Sequence, residues 1–296
     1  MSKKFSGKIA VVTGGSTGMG LATAKRFVQE GMDHVFITGR NKGALDSAVT
    51  EIGKNVTAVQ GDVGNLDDLD RLYDTVTKHN RKIDIIFANA GLAKLAPFGD
   101  VDEKFFDLHF NANVKGLFFS VQKGLPLMKD GGSIILNGSI ADIKGFPAMS
   151  VYSATKAAVR SFARTWINDL RERRIRVNVL SPGHIDTPIL GDLQQGEALL
   201  QMKKEMENNV PLGRLGEPTA EQFCLVFTLP DYLRDLYKSF GNALDRFHDE
   251  PEYRLPIPAR YVVDKQGIIR AADVNADYTI RPEPSETLRQ LRMLTG

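Results

Sequence analysis

Lys8–Gly20 reads KIAVVTGGSTGMG. Lys8 to Thr13 is an apolar, β-branched run without polar alternation, which predicts a parallel strand buried on both faces. Gly14-Gly15-Ser16-Thr17-Gly18-Met19-Gly20 then opens a helix that continues through Leu21, Ala22, Ala24, Phe27 and Val28. Glycines permit a tight turn and close approach of a phosphate, and a helix N-terminus offers free N–H groups and a positive dipole end. A diphosphate fits such a turn.

The strand signal repeats outward along the chain at His34–Thr38, Val56–Gln60, Ile83–Phe87, Ser133–Leu136 and Ile175–Leu180, with helix-like stretches between. Strands alternating with helices predict an α/β fold, a doubly wound parallel sheet of the Rossmann type in a three-layer sandwich. Arg40, Asp62, Asn89, Ser139 and Gly183 each fall at or just after the C-terminal end of one of these strands. In an open parallel sheet that edge is where ligands bind.

The stretch Ser139–Lys156, SIADIKGFPAMSVYSATK, carries the candidate chemistry. Tyr152 and Lys156 lie four residues apart in a helical segment, which puts neighbouring side chains on one face. A phenol with its ordinary pKa near 10 is a poor proton carrier at neutral pH, and an adjacent ammonium favours the phenolate. Ser139 could hold a substrate oxygen while Tyr152 moves the proton.

Ser139, Tyr152 and Lys156 at this spacing, with the TGxxxGxG turn, resemble the short-chain dehydrogenase/reductase family over about residues 5 to 222. The resemblance implies a carbonyl/alcohol oxidoreductase using a nicotinamide dinucleotide, with catalytic residues Asn113, Ser139, Tyr152 and Lys156. Asn113 is carried over from Asn113-Val114-Lys115-Gly116, where the family's asparagine holds a water that links the lysine to solvent. It also implies cofactor contacts from Gly14, Ser16, Thr17, Gly18, Met19 and Gly20. Asp62 and Val63 would meet the adenine, and Asn89, Ala90 and Gly91 would pass beside a ribose, although Ala88 stands where the family has a first asparagine. Tyr152 and Lys156 would touch the nicotinamide riboside. Gly183, Ile185 and Thr187, in the segment resembling PG-x-x-x-T, would hold the carboxamide.

An acidic residue at the end of the second strand would bind the adenosine ribose and repel a 2′-phosphate. Here Gly39 occupies that position and Arg40 follows, so NADP(H) is expected as the preferred cofactor, with NAD(H) possible. From Ile189 to Arg214 the chain reads as a lid, with Leu193, Leu199, Met202 and Met206 as candidate contacts to an apolar substrate. The resemblance further suggests a homodimer or homotetramer. A reading from another class is a dinucleotide sensor or scaffold without turnover.

That alternative arises because the family's closing helix, strand and V-D-G-G-like turn are missing. Two domains are expected: 1–222, the dinucleotide-binding reductase, and 223–296, an atypical appendage with a β-hairpin around Asp264-Lys265-Gln266-Gly267 and helices. The appendage resembles the C-terminal half of a peroxiredoxin-like, thioredoxin-fold protein, with Pro258 at that fold's cis-proline position. Tyr261–Val263 or Ile268–Ala271 could replace the missing edge strand, or the tail could be a loosely attached product of rearrangement. Cys224 matches no peroxidatic motif, so no peroxidase activity is expected.

Composition excludes other classes. With 38 basic and 36 acidic residues the formal net charge is +2, which leaves no polyanion footprint, so no nucleic-acid partner is expected. No run approaches a membrane span and the N-terminus carries no apolar signal core, so a cytoplasmic protein is expected, with no membrane partner. One cysteine allows no internal disulfide or thiolate cage. His34, His79, His109, His184 and His248 have no ligand spacing; no metal is expected, and each histidine is read as a surface or packing residue.

Overall fold

The computed structural model describes residues 4–210 and 213–218, and the backbone of two later strands, 259–263 and 269–274. The chain divides into two compact units, Met1–Phe223 and Cys224–Gly296.

The first unit alternates strand and helix: β1 (Ile9–Thr13), α1 (Gly18–Gln29), β2 (His34–Gly39), α2 (Lys42–Ile52), β3 (Val56–Gln60), α3 (Leu66–Lys78) and β4 (Ile83–Ala88). Then come α4 (Glu103–Phe110), α5 (Leu117–Gly124), β5 (Met128–Asn137), α6 (Ser150–Asp169), β6 (Arg176–Leu180), α7 (Ile189–Leu193) and α8 (Gly196–Asn208). All six strands pair in parallel in the order β3-β2-β1-β4-β5-β6. This is the doubly wound α/β fold expected from the alternation, and its strand order reverses between β1 and β4.

Strand periodicity builds two cores. Ile9 and Val11 of β1 face one way, into a cluster with Leu69, Leu72 and Val76 of α3, Val121 of α5 and Val159 of α6. Ala10 and Val12 face the other way, against Ala24 and Phe27 of α1 and Leu45 of α2. Because every β1 residue is covered by one layer or the other, the strand reads as an unbroken apolar run. The helices start where side chains satisfy their free N–H groups: Asn41 accepts from Ala44 N, Asn65 from Asp67 N and Asp102 from Phe105 N.

Two details differ from the sequence reading. β5 begins at Met128, five residues before Ser133, with a register shift against β4 between Ile83 and Ile85. The stretch around Phe105–Phe119 is not one regular helix, because Asn111–Gly116 forms a π-helical turn between α4 and α5. Gly116 there packs so close to Val63 that an added Cβ would lie 2.7 Å from its side chain. A π turn inserts a residue into the helical ladder and re-aims the side chains it carries, here Asn113.

In the second unit, β7 (Ala259–Val263) and β8 (Ile269–Val274) pair antiparallel from Ala259–Val274 to Val263–Ile269. They form a two-stranded sheet. The hairpin turn, Cys224, Pro258 and the expected tail helices lie outside the described residues.

Glycine positions offer a stability test. A Cβ on Gly20 would sit 2.1 Å from the Gly14 carbonyl oxygen, whereas one on Gly99 would meet nothing within 4 Å. Gly20→Ala should cost about 1–3 kcal/mol through overpacking of backbone, and Gly99→Ala should stay within about 0.5 kcal/mol of the parent. Chemical denaturation followed by circular dichroism checks both; a Gly20→Ala protein as stable as the Gly99→Ala protein would contradict the packing of the turn.

Candidate active site

A cleft of about 1480 Å³ runs along the C-terminal edge of the sheet, over the point where strand order reverses. That exceeds the roughly 300–1,000 Å³ of an ordinary small-molecule pocket. Its lining includes Gly14, Ser16, Thr17, Gly18 and Met19 at one wall and Ser139, Tyr152 and Lys156 at another. There is room for an extended dinucleotide and a second molecule. Among the sequence-derived contacts, Arg40, Asp62, Val63, Asn89, Ala90, Gly91, Gly183, Ile185 and Thr187 also line the cleft. Gly20 and Asn113 do not; they act from behind it.

The phosphate turn is shaped as the glycines suggest. Gly14 and Gly18 have φ of +63° and +53°, and a Cβ on Gly14 would lie 2.9 Å from Ala90 Cα. α1 has neither an acidic residue in its first turn nor a capping side chain at Thr17, so its N-terminal N–H groups and positive dipole end await an anion. At the end of β2, a Cβ on Gly39 would come within 2.8 Å of Ser16 Oγ, so a carboxylate does not fit there without a shift. The next residue, Arg40, is exposed, and its carbonyl accepts from Gln60 Nε2 at 3.0 Å. Asp62 is held by its own turn, accepting from Gly64 N at 2.8 Å, while its N–H donates to Asp68 Oδ2 at 2.8 Å. Asp68 therefore does more than complement the dipole of α3.

A relay of hydrogen bonds ties the wall that carries Lys156 to the glycine turn. Lys156 Nζ donates to the Asn137 carbonyl at 2.8 Å. Asn137 Nδ2 donates to Asn89 Oδ1 at 3.1 Å, and Asn89 Nδ2 donates to the carbonyls of Thr13 and Gly14 at 3.0 and 3.1 Å. The Asn89 amide thus joins the ends of β1, β4 and β5 instead of reaching toward a ligand. Asn137, absent from the sequence-derived site, is its centre.

Ser139 sits just past β5, where its Oγ accepts from Ala141 N at 3.1 Å and starts a single 3-10 turn. Tyr152 and Lys156 project from the first turns of α6, the Lys156 ammonium 5.6 Å from the centre of the Tyr152 ring. Burial pushes the Tyr152 phenol up, and the neighbouring Ser139 hydroxyl pulls it back. The Lys156 ammonium, expected from the sequence to lower that pKa, donates its hydrogen bond to the Asn137 carbonyl. Burial instead brings Lys156 itself down from 10.5 to about 8.

Asn113, fully buried, is spent on scaffolding: Oδ1 accepts from Leu92 N at 2.8 Å, and Nδ2 donates to Leu92 O at 2.9 Å and Thr155 Oγ1 at 3.1 Å. One helical turn earlier, His109 pins the same loop. Its Nε2 accepts from Lys94 N at 3.2 Å, so the proton resides on Nδ1, which donates to Phe105 O at 2.9 Å. This buried histidine is more than the packing residue its sequence suggested. The far wall is held by Gly216, which bonds His184 O at 2.9 Å and Asp186 N at 2.8 Å, leaving the Ile185 backbone between them uncommitted. Of the lid candidates, Leu193, Met202 and Met206 line the cleft and Leu199 does not. Among the described residues no cluster could hold a metal ion, and no helix is long and apolar enough to cross a membrane.

A glycine turn at the reversal point of a parallel sheet, facing a Ser/Tyr/Lys wall, defines a dinucleotide-binding protein of the oxidoreductase type. Residues 8–198 match the family model described as short chain dehydrogenase, and the chain belongs to that family. It is 46% identical over 220 residues to "Oxidoreductase asL5" of Sarocladium schorii, covering 73% of this chain and 86% of that one. It is 32% identical over 238 residues to the NADP-dependent (R)-specific alcohol dehydrogenase of Lentilactobacillus kefiri, covering 78% and 92%. Among solved structures, the 3-ketoacyl-(acyl-carrier-protein) reductase of Brucella melitensis complexed with NADH superposes with a TM-score of 0.67 at 30% identity, covering 74% of this chain and 91% of that one.

The His109 pin is pH-sensitive. Burial chiefly holds its pKa below the ordinary 6.5, and the Lys94 charge acts in the same direction, against the raising effect of the bond to Phe105 O. Because the folded pKa is the lower, the unfolded chain takes up the proton first: this stability is fully present above about pH 6.5 and lost as pH falls through the folded value. His109→Gln, which can mimic both bonds without titrating, should flatten the loss of unfolding free energy between about pH 7 and 5. A parent and variant with identical pH slopes would remove His109 from that role.

Proposed function

We propose that the protein is an NADP(H)-preferring oxidoreductase that interconverts a carbonyl and an alcohol on a small molecule. The observation that carries this reading is the arrangement of Ser139, Tyr152 and Lys156 along one cleft with the phosphate turn. The nicotinamide, when bound, supplies or takes up the hydride. In reduction the Tyr152 phenol gives its proton to the substrate oxygen, and the Ser139 hydroxyl donates a hydrogen bond to that oxygen and holds it in line. Lys156, anchored on Asn137, holds the ribose beside Tyr152. Asn113 keeps the Leu92 loop in place, and Gly183, Ile185 and Thr187 hold the carboxamide.

Arg40 and Ser16 would receive a 2′-phosphate where Gly39 stands in place of an acid, and the NADP dependence named for the Lentilactobacillus enzyme supports the same preference. Residues 1–222 carry all of this chemistry in our reading, and the peroxiredoxin-like stretch 223–296 carries none. Pairing into a homodimer or homotetramer is supported by an aromatic face on α4, α5 and α6. There Phe106 stacks on Phe110, Phe162 stacks on Trp166, and Phe106 and Ile167 are 44% and 50% exposed.

Steady-state kinetics test the reading. Tyr152→Phe should lower kcat by at least about 10²-fold, the scale of a lost general acid, while the Kd for NADPH changes less than about threefold. Near-parent turnover would remove Tyr152 from its role, and failure of the parent protein to reduce any carbonyl while still binding NADPH would favour the sensor reading. Arg40→Ser should cut the kcat/KM ratio of NADPH to NADH by about tenfold or more, in line with a lost charged hydrogen bond. An unchanged ratio would contradict the cofactor assignment.

A further inference from the structure

We propose that Lys144 and His184 form a recognition corner for an anionic oxygen on the substrate, and so favour carbonyl compounds that carry an acidic group on an apolar or aromatic body. The proposal rests on the reductase reading above.

Both side chains line the cleft at the wall that carries Ser139 and Tyr152. Lys144 follows the 3-10 turn that Ser139 starts, and His184 follows Gly183 at the end of β6. The His184 ring meets Phe146 edge-on, with centroids 6.1 Å apart. Burial and the Lys144 charge both lower the His184 pKa, so at neutral pH the ring is a neutral donor and Lys144 supplies the charge.

The carboxylates of the surrounding elements are engaged elsewhere. The Asp142 side chain is buried and faces Arg160 on α6 at 3.4 Å as an ion pair without a hydrogen bond. Asp186 pairs with Lys203 at 2.7 Å, and Glu205 on α8 accepts from Gln201 Nε2 at 2.9 Å. Among the described residues, neither the Lys144 ammonium nor the His184 imidazole has a hydrogen-bonded or ion-paired partner. The rest of the lining at this end joins the apolar side chains of Ile140, Phe146, Met149, Leu193, Met202 and Met206 to polar Glu205, Asn209 and Arg214, of which Arg214 Nη1 donates to Leu215 O at 3.4 Å. A pocket of apolar walls with few convergent polar groups selects ligands by those groups. Lys144 and His184 place one cation and one N–H donor on the wall beside Ser139, and an ionised oxygen is the partner that satisfies both.

The test compares matched pairs in NADPH-dependent reduction: phenylglyoxylate against its methyl ester, and 2,4-dihydroxyacetophenone against its dimethyl ether. These separate a carboxylate from a phenolate. The expected result is kcat/KM about tenfold or more higher for the acidic member of at least one pair, expressed in KM, the scale of a charged hydrogen bond. Lys144→Met should bring that ratio near one, and Lys144→Arg should retain it. Turnover of both members at equal kcat/KM, or a preference that survives Lys144→Met, overturns the corner and leaves the reductase reading intact. Thermal shift with NADP+ present separates the converse case: if no carbonyl turns over yet the acid stabilises the parent protein and not Lys144→Met, the corner stands and the reductase reading falls.

Discussion

The site depends on one chain of hydrogen bonds, from the Lys156 ammonium through Asn137 and Asn89 to the Thr13 and Gly14 carbonyls. Parallel strands end with backbone groups that no neighbouring strand satisfies, and here side-chain amides bridge them. The bridge fixes the separation between the glycine turn after β1 and the wall that carries Ser139, Tyr152 and Lys156 on β5 and α6. A dinucleotide has a set length, so this separation decides whether its two ends can be held at once. Burial of the lysine follows from the same bridge. Inserting an ammonium among strand ends lowers its pKa to about 8, and the Asn137 carbonyl compensates part of the desolvation.

The loop after β4 is held in a comparable way from the opposite side. Asn113 and His109 lie one helical turn apart and grip the backbone of Leu92 and Lys94, two residues apart on the loop. The π turn at Asn111–Gly116 sets where Asn113 points, and close packing of Gly116 on Val63 holds the turn against the Asp62 segment. The residue that binds the lid side of the cleft to its floor is Gly216, through the backbone on either side of Ile185. Each wall is thus carried by rigid elements and completed by one or two buried polar groups, the pattern that keeps a reactive geometry precise.

Much of this was legible before any coordinates. The unbroken apolar run at Ile9–Thr13 indicates a strand covered on both faces, and strand-helix alternation leaves few arrangements open to the sheet. The glycine turn and the Tyr152/Lys156 spacing are local patterns, because a turn and an i,i+4 pair bring their residues together through the backbone alone. Ser139 was legible because it follows a strand that must end at the ligand edge. His109 and Asn137 were not. Their partners, Lys94 and Asn89, are 15 and 48 residues away, and nothing in residue type or spacing marks a buried amide or imidazole as a bridge.

The amino-acid sequence by itself therefore determined the fold class, the glycine turn and the i,i+4 placement of Tyr152 and Lys156 on α6, all of which follow from hydrophobic period, backbone freedom and short-range spacing. Tertiary structure alone decided that the Lys156 ammonium donates to the Asn137 carbonyl and that the Ser139 hydroxyl lies beside the Tyr152 phenol. It also decided that Met202 and Met206 line the cleft while Leu199 does not, and that Lys144 and His184 line one cleft from two separate loops. These are questions of distance and direction between segments far apart in the chain. Only the packing of helices against both faces of the sheet sets those distances.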